Sequence, residues 1–207
     1  MKKNKTNKKF IYLISPDKIE NKKFYTDLAL VLNSGKVSFF QLRLKKETNL
    51  NKLIIGKKIK KICKKYKVKF LINDDPLLAQ KLNADGCHLG QKDMDLLKTR
   101  KILKKKIIGV TCHNSITLAK RAIREGADYL AFGAFYPSKT KVVKCKASLT
   151  ILKSVKKITS LPIVAIGGIK LNNYKKLLLN KANFLAISGY IWNNKKYKPL
   201  TAIKKLK

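Results

Sequence analysis

Acidic residues are scarce in this 207-residue chain: 11 Asp and Glu stand against 49 Lys and Arg, for a formal charge of +38. A field of that sign attracts polyanions of any kind, and nucleic acid is the first class to weigh. No stripe of interleaved aromatic and basic residues supports it, and the lysines are spread over nearly every helical segment. Lys, Asn and Ile are abundant together, as A- and T-rich codons would produce, so the charge reads as a solvated basic surface. Cysteine is also sparse. Cys63, Cys87, Cys112 and Cys145 lie far apart with no CxxC pair, which excludes a disulfide framework or a zinc finger and fits a reducing cytoplasm. Cys87 and Cys112 fall in apolar runs and read as small core residues. No run approaches the ~20 apolar residues that span a bilayer, so no membrane partner is expected. The run Phe10–Ile14 after the basic Met1–Lys9 is too short for a signal-peptide core and lacks a small-residue cleavage site. A first strand behind a frayed basic leader is the expectation for residues 1–14. No linker or second domain interrupts 1–207, and internal self-similarity is weak.

What is present is a globular composition, 45% hydrophobic and 29% charged. The length suits one domain that buries roughly 70% of its unfolded surface. Short apolar runs recur at 10–14, 38–43, 68–73, 85–89, 107–111, 128–133, 162–166 and 183–188. Most are continuous rather than alternating, as strands covered on both faces must be. Helical patterns lie between them at 49–65, 114–125, 148–159 and 172–181, with a last helix near 200–206. In the first, Leu50, Leu53, Ile54 and Ile62 form an apolar stripe opposite a lysine face. Asn114 or Ser115 is a suitable N-cap for the second, which stops at Gly126. Eight strands alternating with helices imply an α/β protein with a parallel sheet. Alternation alone leaves a closed barrel and an open doubly wound sheet both standing.

The polar residues favour the barrel. Seven of the runs are followed at once by a polar cluster, and a (β/α)8 TIM barrel builds its site from the carboxyl ends of its strands. Asp74 and Asp93 follow neighbouring runs; two hard carboxylates on an open rim suit Mg2+, which completes its shell with water and substrate phosphate. The structural alternative is that Asp74 or Asp75 caps the helix after Pro76 and that Asp93 caps the next. Gln41, Arg43 and Lys45 are spaced by two and would share one face of a strand, pointing into the mouth, where Arg offers a fork and Lys a point charge to phosphate. Ser138, Thr140 and Lys141 form a loop able to wrap a phosphate. Gly167-Gly168 and Ser188-Gly189 follow the seventh and eighth runs, where such barrels often hold a phosphate on backbone N–H groups; a tight turn without a ligand is the alternative. Thr111 and His113 end the fifth run, and His113 reads as structural or as an acid/base group. Two phosphate regions emerge: carboxylates with Arg and Lys for a diphosphate, and glycines with hydroxyls for a monophosphate.

The strings QLRLK (41–45), INDD (72–75), ADGCHLGQKD (84–93), GVTCHN (109–114), GADYLAFGAFYPSKTK (126–141), AIGGI (165–169) and AIS (186–188) resemble, in order and over nearly the whole chain, those of the thiamine-phosphate synthases. The resemblance implies transfer of a pyrimidinylmethyl group from hydroxymethylpyrimidine diphosphate to a thiazole phosphate. It implies Gln41, Arg43, Lys45, Asn73, Thr111 and Lys141 on the pyrimidine diphosphate, with Arg43, Lys45, Lys141 and Thr111 serving the reaction. Asp74 and Asp93 would hold Mg2+. Ser138, Thr140, Gly168, Ile187 and Ser188 would receive the thiazole phosphate. Thr111 stands where the family usually has Ser, Ser138 where it has Thr, and Ala134 where it has Pro. The implied mechanism is dissociative and needs no general base. The alternatives are a thiazole tautomerase of the same superfamily, which would not need the diphosphate residues retained here, and a nucleic-acid-binding barrel. The sequence leaves a homo-oligomer open.

Overall fold

The computed structural model describes residues 9–137 and 145–207. Most of the basic leader, and Ser138, Thr140 and Lys141, therefore lie outside the described residues. The elements run β1 (Ile11–Ile14), α1 (Lys22–Asn33), β2 (Val37–Leu42), α2 (Asn49–Lys65), β3 (Lys69–Asn73), α3 (Pro76–Lys81), β4 (Gly86–Leu89), α4 (Leu96–Leu103), β5 (Ile107–Thr111), α5 (Ile116–Arg124), β6 (Tyr129–Phe132), α6 (Leu149–Lys156), β7 (Ile163–Ile166), α7 (Tyr174–Leu179), β8 (Phe184–Ile187), α8 (Gly189–Trp192) and α9 (Pro199–Lys205). The strands pair in chain order, all parallel, and β8 returns to β1 to close the barrel. Closure settles the choice between barrel and open sheet. All eight strands coincide with the apolar runs of the sequence to within one or two residues.

Two apolar layers result. Inside the barrel, Tyr12, Leu71, Tyr129, Ala131, Val164 and Ala186 pack together with Phe39, Ile107 and Phe184 at the margin. Outside it, the alternate strand residues meet the buried faces of the helices. Strand residues thus face apolar neighbours on both sides, which is why the runs do not alternate. Cys87 and Cys112 belong to the outer layer and are fully buried, and burial pushes both thiols up, keeping them neutral.

Helix α2 keeps only part of its expected stripe, Leu53 and Ile62 packing against the core. Leu50 is 65% exposed and Ile54 47%, while the buried face is Gly56, Ile59 and Cys63. A Cβ on Gly56 would come within 2.5 Å of Leu82 Cδ1, so the small residues let α2 sit close to the α3 side. Hydropathy weights size, and close approach needs its absence. The caps are resolved residue by residue. Thr48 accepts from Asn51 N, Asp75 from Leu78 N and Ser115 from Leu118 N. Asp95, not Asp93, caps α4 by accepting from the amides of Leu97 and Lys98.

At the amino end of the strands a three-fold device recurs. Asp85, Asp128 and Asn183 each immediately precede an even-numbered strand, and each follows a buried alanine (Ala84, Ala127, Ala182). The backbone N–H of each donates to the carbonyl of the second residue of β3, the second residue of β5 or the first of β7 (Phe70, Ile108, Ile163), at 2.8 Å in all three cases. The amide of that same residue donates back to the side-chain oxygen, at 2.8, 2.7 and 2.9 Å. Each pair of strands is clasped at its start. This end of a barrel reads as stability rather than chemistry. Asp128→Ala leaves the Ile108 amide without its acceptor and is expected to lower unfolding free energy by about 1–3 kcal/mol. Asp128→Asn, which keeps the acceptor as Asn183 does, should lose clearly less; urea denaturation of the two variants checks this.

Candidate active site

The carboxyl ends of the strands bring the two acids together. Asp74 is the residue after β3, with φ of 64°, and its amide donates to His88 O at 2.8 Å. Asp93 lies in the β4–α4 loop, where its Oδ2 accepts from Gly90 N at 2.6 Å. The two carboxyl groups lie close enough for each to shift the ionisation of the other, and Lys45 Nζ sits 2.7 Å from Asp74 Oδ2. Partial burial opposes ionisation of both. For Asp74 the Lys45 ammonium and the nearby Asp93 carboxyl overcome it and hold the carboxyl below its usual range. For Asp93, burial and the facing Asp74 push the carboxyl up. The donor set fits a hard cation: two carboxylates face each other, and an ammonium already stands against one of them. No group of three or more His, Cys, Asp or Glu side chains able to hold a metal occurs among the described residues, so a cation here draws its remaining ligands from water or substrate. A cavity of about 460 Å³ opens beside this pair, bordered by Lys45, Lys52, Asn73, Asp74 and Met94.

The shared strand face expected of Gln41, Arg43 and Lys45 ends early, because β2 stops at Leu42. Gln41 points into the barrel, where its Nε2 donates to Tyr12 Oη at 2.8 Å. Arg43 leans toward β1 and pairs with Asp17 at 2.6 Å, while its amide donates to Ser15 Oγ. Lys45 turns the other way, to Asp74. All three stay on the same rim without sharing one face. Asn73, the last residue of β3, lies opposite His88 in the β3–β4 ladder.

Inside the mouth, a buried polar chain crosses five strands. Tyr12 Oη and Tyr129 Oη are 2.8 Å apart, His88 Nδ1 is 2.8 Å from Tyr129 Oη, and His88 Nε2 is 2.8 Å from Thr111 Oγ1. Gln91 Nε2 donates to the Thr111 carbonyl at 2.6 Å. Composition and strand runs pointed to Thr111 and Gln41 but passed over Tyr12, His88 and Tyr129. The available signal was their polarity within otherwise apolar runs, at positions whose parity matches Gln41. His113 has φ of 52°, and its carbonyl accepts from Gly133 N at 3.0 Å.

On the other side of the rim, Gly167 and Gly168 have φ of 97° and 60°. A Cβ on Gly168 would lie 2.3 Å from Pro137 O. Glycine is therefore required by the close approach of the β7 and β6 loops. Ile187 is buried at the end of β8. Ser188 Oγ donates to Ser15 O at 2.9 Å, and Trp192 Nε1 donates to Ile14 O at 2.7 Å. These bonds tie the end of β8 to the end of β1, so Gly168, Ile187 and Ser188 occupy neighbouring loops of the same rim as Asp74.

Residues 11–191 match the family model described as thiamine monophosphate synthase. A thiamine-phosphate synthase of Pelagibacter ubique (strain HTCC1062) is 84% identical over 207 residues, covering all of both chains. One from Nitrosomonas eutropha (strain DSM 101675 / C91 / Nm57) is 40% identical over 184 residues, 88% of this chain and 86% of that one. Among solved structures, a thiamine phosphate pyrophosphorylase from Pyrococcus furiosus superposes with a TM-score of 0.83 at 26% identity, covering 97% of this chain and 94% of that one. A 3-hexulose-6-phosphate synthase, at 18% identity and a TM-score of 0.65, shares the fold alone. On the match along nearly its whole length, with the closed barrel beneath it, the chain belongs to the thiamine-phosphate synthase family, transferases of thiamine biosynthesis built on a TIM barrel.

Proposed function

We propose that the chain condenses 4-amino-5-hydroxymethyl-2-methylpyrimidine diphosphate with thiazole phosphate, giving thiamine monophosphate and diphosphate. The observation that carries the mechanism is the pair Asp74 and Asp93 close together at the rim with Lys45 against Asp74. Asp74 and Asp93 would hold Mg2+, which when bound would neutralise charge on the diphosphate. Lys45 and Arg43 add two cations from the β2 loop, and Lys141 adds a third. The C–O bond between the methylene carbon and the diphosphate breaks, and its electron pair leaves with the diphosphate. The pyrimidine amino group feeds density to the resulting methylene cation, and the thiazole nitrogen lone pair then closes the C–N bond. No proton is transferred in either step, so the reaction calls for electrostatic stabilisation rather than a general base.

Gln41, Asn73 and Thr111 hold the pyrimidine portion at the mouth. Ser138, Thr140, Gly168, Ile187 and Ser188 receive the thiazole phosphate; of these, Gly168, Ile187 and Ser188 sit at the neighbouring ends of β7 and β8. The substrates are small molecules. Among the described residues no helix is long and apolar enough to cross a membrane. A cytoplasmic site fits the free thiols of Cys63, Cys87, Cys112 and Cys145.

Incubation with both substrates and Mg2+ is expected to yield thiamine phosphate by mass detection, with one diphosphate released per turnover; a tautomerase would release none. Asp74→Ala and Lys141→Ala should each keep the fold by circular dichroism and lose about a hundredfold in turnover, the scale of one lost transition-state contact. Full turnover in either variant contradicts the assignment. Asp93 takes up a proton more readily than Asp74, so Mn2+ binding in the absence of substrate should weaken as pH falls into the carboxylate range. Asp93→Asn should bind Mn2+ weakly and with a flatter pH dependence.

A further inference from the structure

The buried chain Gln41–Tyr12–Tyr129–His88–Thr111 links two groups that the proposed function places on the pyrimidine. Its members are between 2% and 9% exposed, so bulk water does not supply alternative partners freely. Their hydrogen-bonding roles follow from one end. An amide N–H can only donate, so the Tyr12 oxygen accepts from Gln41 Nε2. The Tyr12 proton then goes to the Tyr129 oxygen 2.8 Å away. When the Tyr129 proton goes to His88 Nδ1, the imidazole carries its own proton on Nε2 and donates it to Thr111 Oγ1. In that order the Thr111 oxygen accepts within the chain and its own proton is left for a ligand. The reverse order requires the Gln41 amide turned over, so that its carbonyl oxygen accepts the Tyr12 proton. Burial pushes both tyrosine hydroxyls up, so both remain protonated and able to donate.

The chain thereby sets two polarities on facing walls of the barrel. At β2, Gln41 commits an N–H inward and keeps its carbonyl oxygen as an acceptor. At β5, Thr111 offers a donor. An acceptor and a donor at fixed places complement a flat ring that carries an amino group and ring nitrogens.

We infer that Tyr129, acting through Tyr12 and His88, is a positioning residue that fixes the amide of Gln41 and the hydroxyl of Thr111, and so selects the aminopyrimidine ring. The inference rests on the proposed function for the identity of the ring, while the chain itself is a property of the fold. Tyr129 is suited to the role because its ring lies over Gly109, where a Cβ would come within 1.8 Å of Tyr129 Cζ. The ring is held by packing, and its hydroxyl bridges the Gln41 half and the Thr111 half.

Tyr129→Phe keeps the ring and removes the bridge. Calorimetry with the diphosphate-free hydroxymethyl aminopyrimidine should show binding weakened about tenfold, the scale of a lost buried hydrogen bond. Binding of inorganic diphosphate with Mg2+ should change less than about twofold on the same scale. In steady state, KM for the pyrimidine diphosphate should rise while KM for the thiazole phosphate stays put. Equal weakening of all ligands would mean a general structural defect and would overturn the inference, as would unchanged pyrimidine binding. If Tyr129→Phe fails to fold, Tyr12→Phe breaks the Gln41 half alone and must show the same selective loss; its absence overturns the inference. A wild-type protein that binds the pyrimidine but forms no thiamine phosphate sinks the proposed function instead, and the selective loss at Tyr129 remains measurable.

Discussion

Closure of the barrel in parallel, in-order register is the constraint on which everything else rests. With β8 paired to β1, every strand ends on the same rim, and residues from 15 to 188 meet there. Closure also fixes which side chains face inward. Tyr12, Gln41, His88, Thr111 and Tyr129 share the lumen parity, and the register pairs Gly109 with both His88 and Tyr129. The missing side chain at Gly109 lets the Tyr129 ring sit in the lumen and complete the polar chain. An open sheet with the same pairing would leave Tyr12 and Tyr129 several strands apart on one face.

Scarcity of acid makes the placement of each carboxylate informative. Asp75 and Asp95 cap helices. Asp85 and Asp128 clasp strand starts and also pair with Lys69 and Arg100. Asp17 anchors Arg43, and Asp74 and Asp93 face each other on the rim. The surplus of lysine is mostly solvated, and isolated exposed pairs such as Lys18–Glu20 contribute little. Against that background the Asp74–Asp93–Lys45 group stands apart because its charges are close together, partly buried and unlike in sign.

Much of this was legible in the sequence, for definite reasons. Eight continuous apolar runs marked the strands because both faces of each are covered. Asp74 and Asp93 were legible because two acids follow adjacent runs in a chain nearly without acid. The buried face of α2 was not legible, because it depends on Gly56 and Cys63 being small rather than on Leu50 and Ile54 being apolar. Helix α1 carries its period in Phe24, Leu28, Val31 and Leu32, yet it sits in a stretch where no polar cluster drew attention to it. The end of β2 at Leu42 was beyond reach, since Arg43 and Lys45 continue the spacing of two while the backbone has already left the sheet. Tyr12, His88 and Tyr129 stayed hidden inside apolar runs, where a polar atom matters only once its partner on another strand is known.

The clasps at Asp85, Asp128 and Asn183 have a consequence for how such a barrel can change. A strand that slid by one residue would turn its lumen side chains outward. Pinning the starts of β3, β5 and β7 from the far end resists that slide without drawing on any rim loop. The rim is therefore free to be lengthened, shortened or exchanged while the inward ring of side chains stays in place, so new substrates can be accommodated by grafting loops onto an unmoved floor.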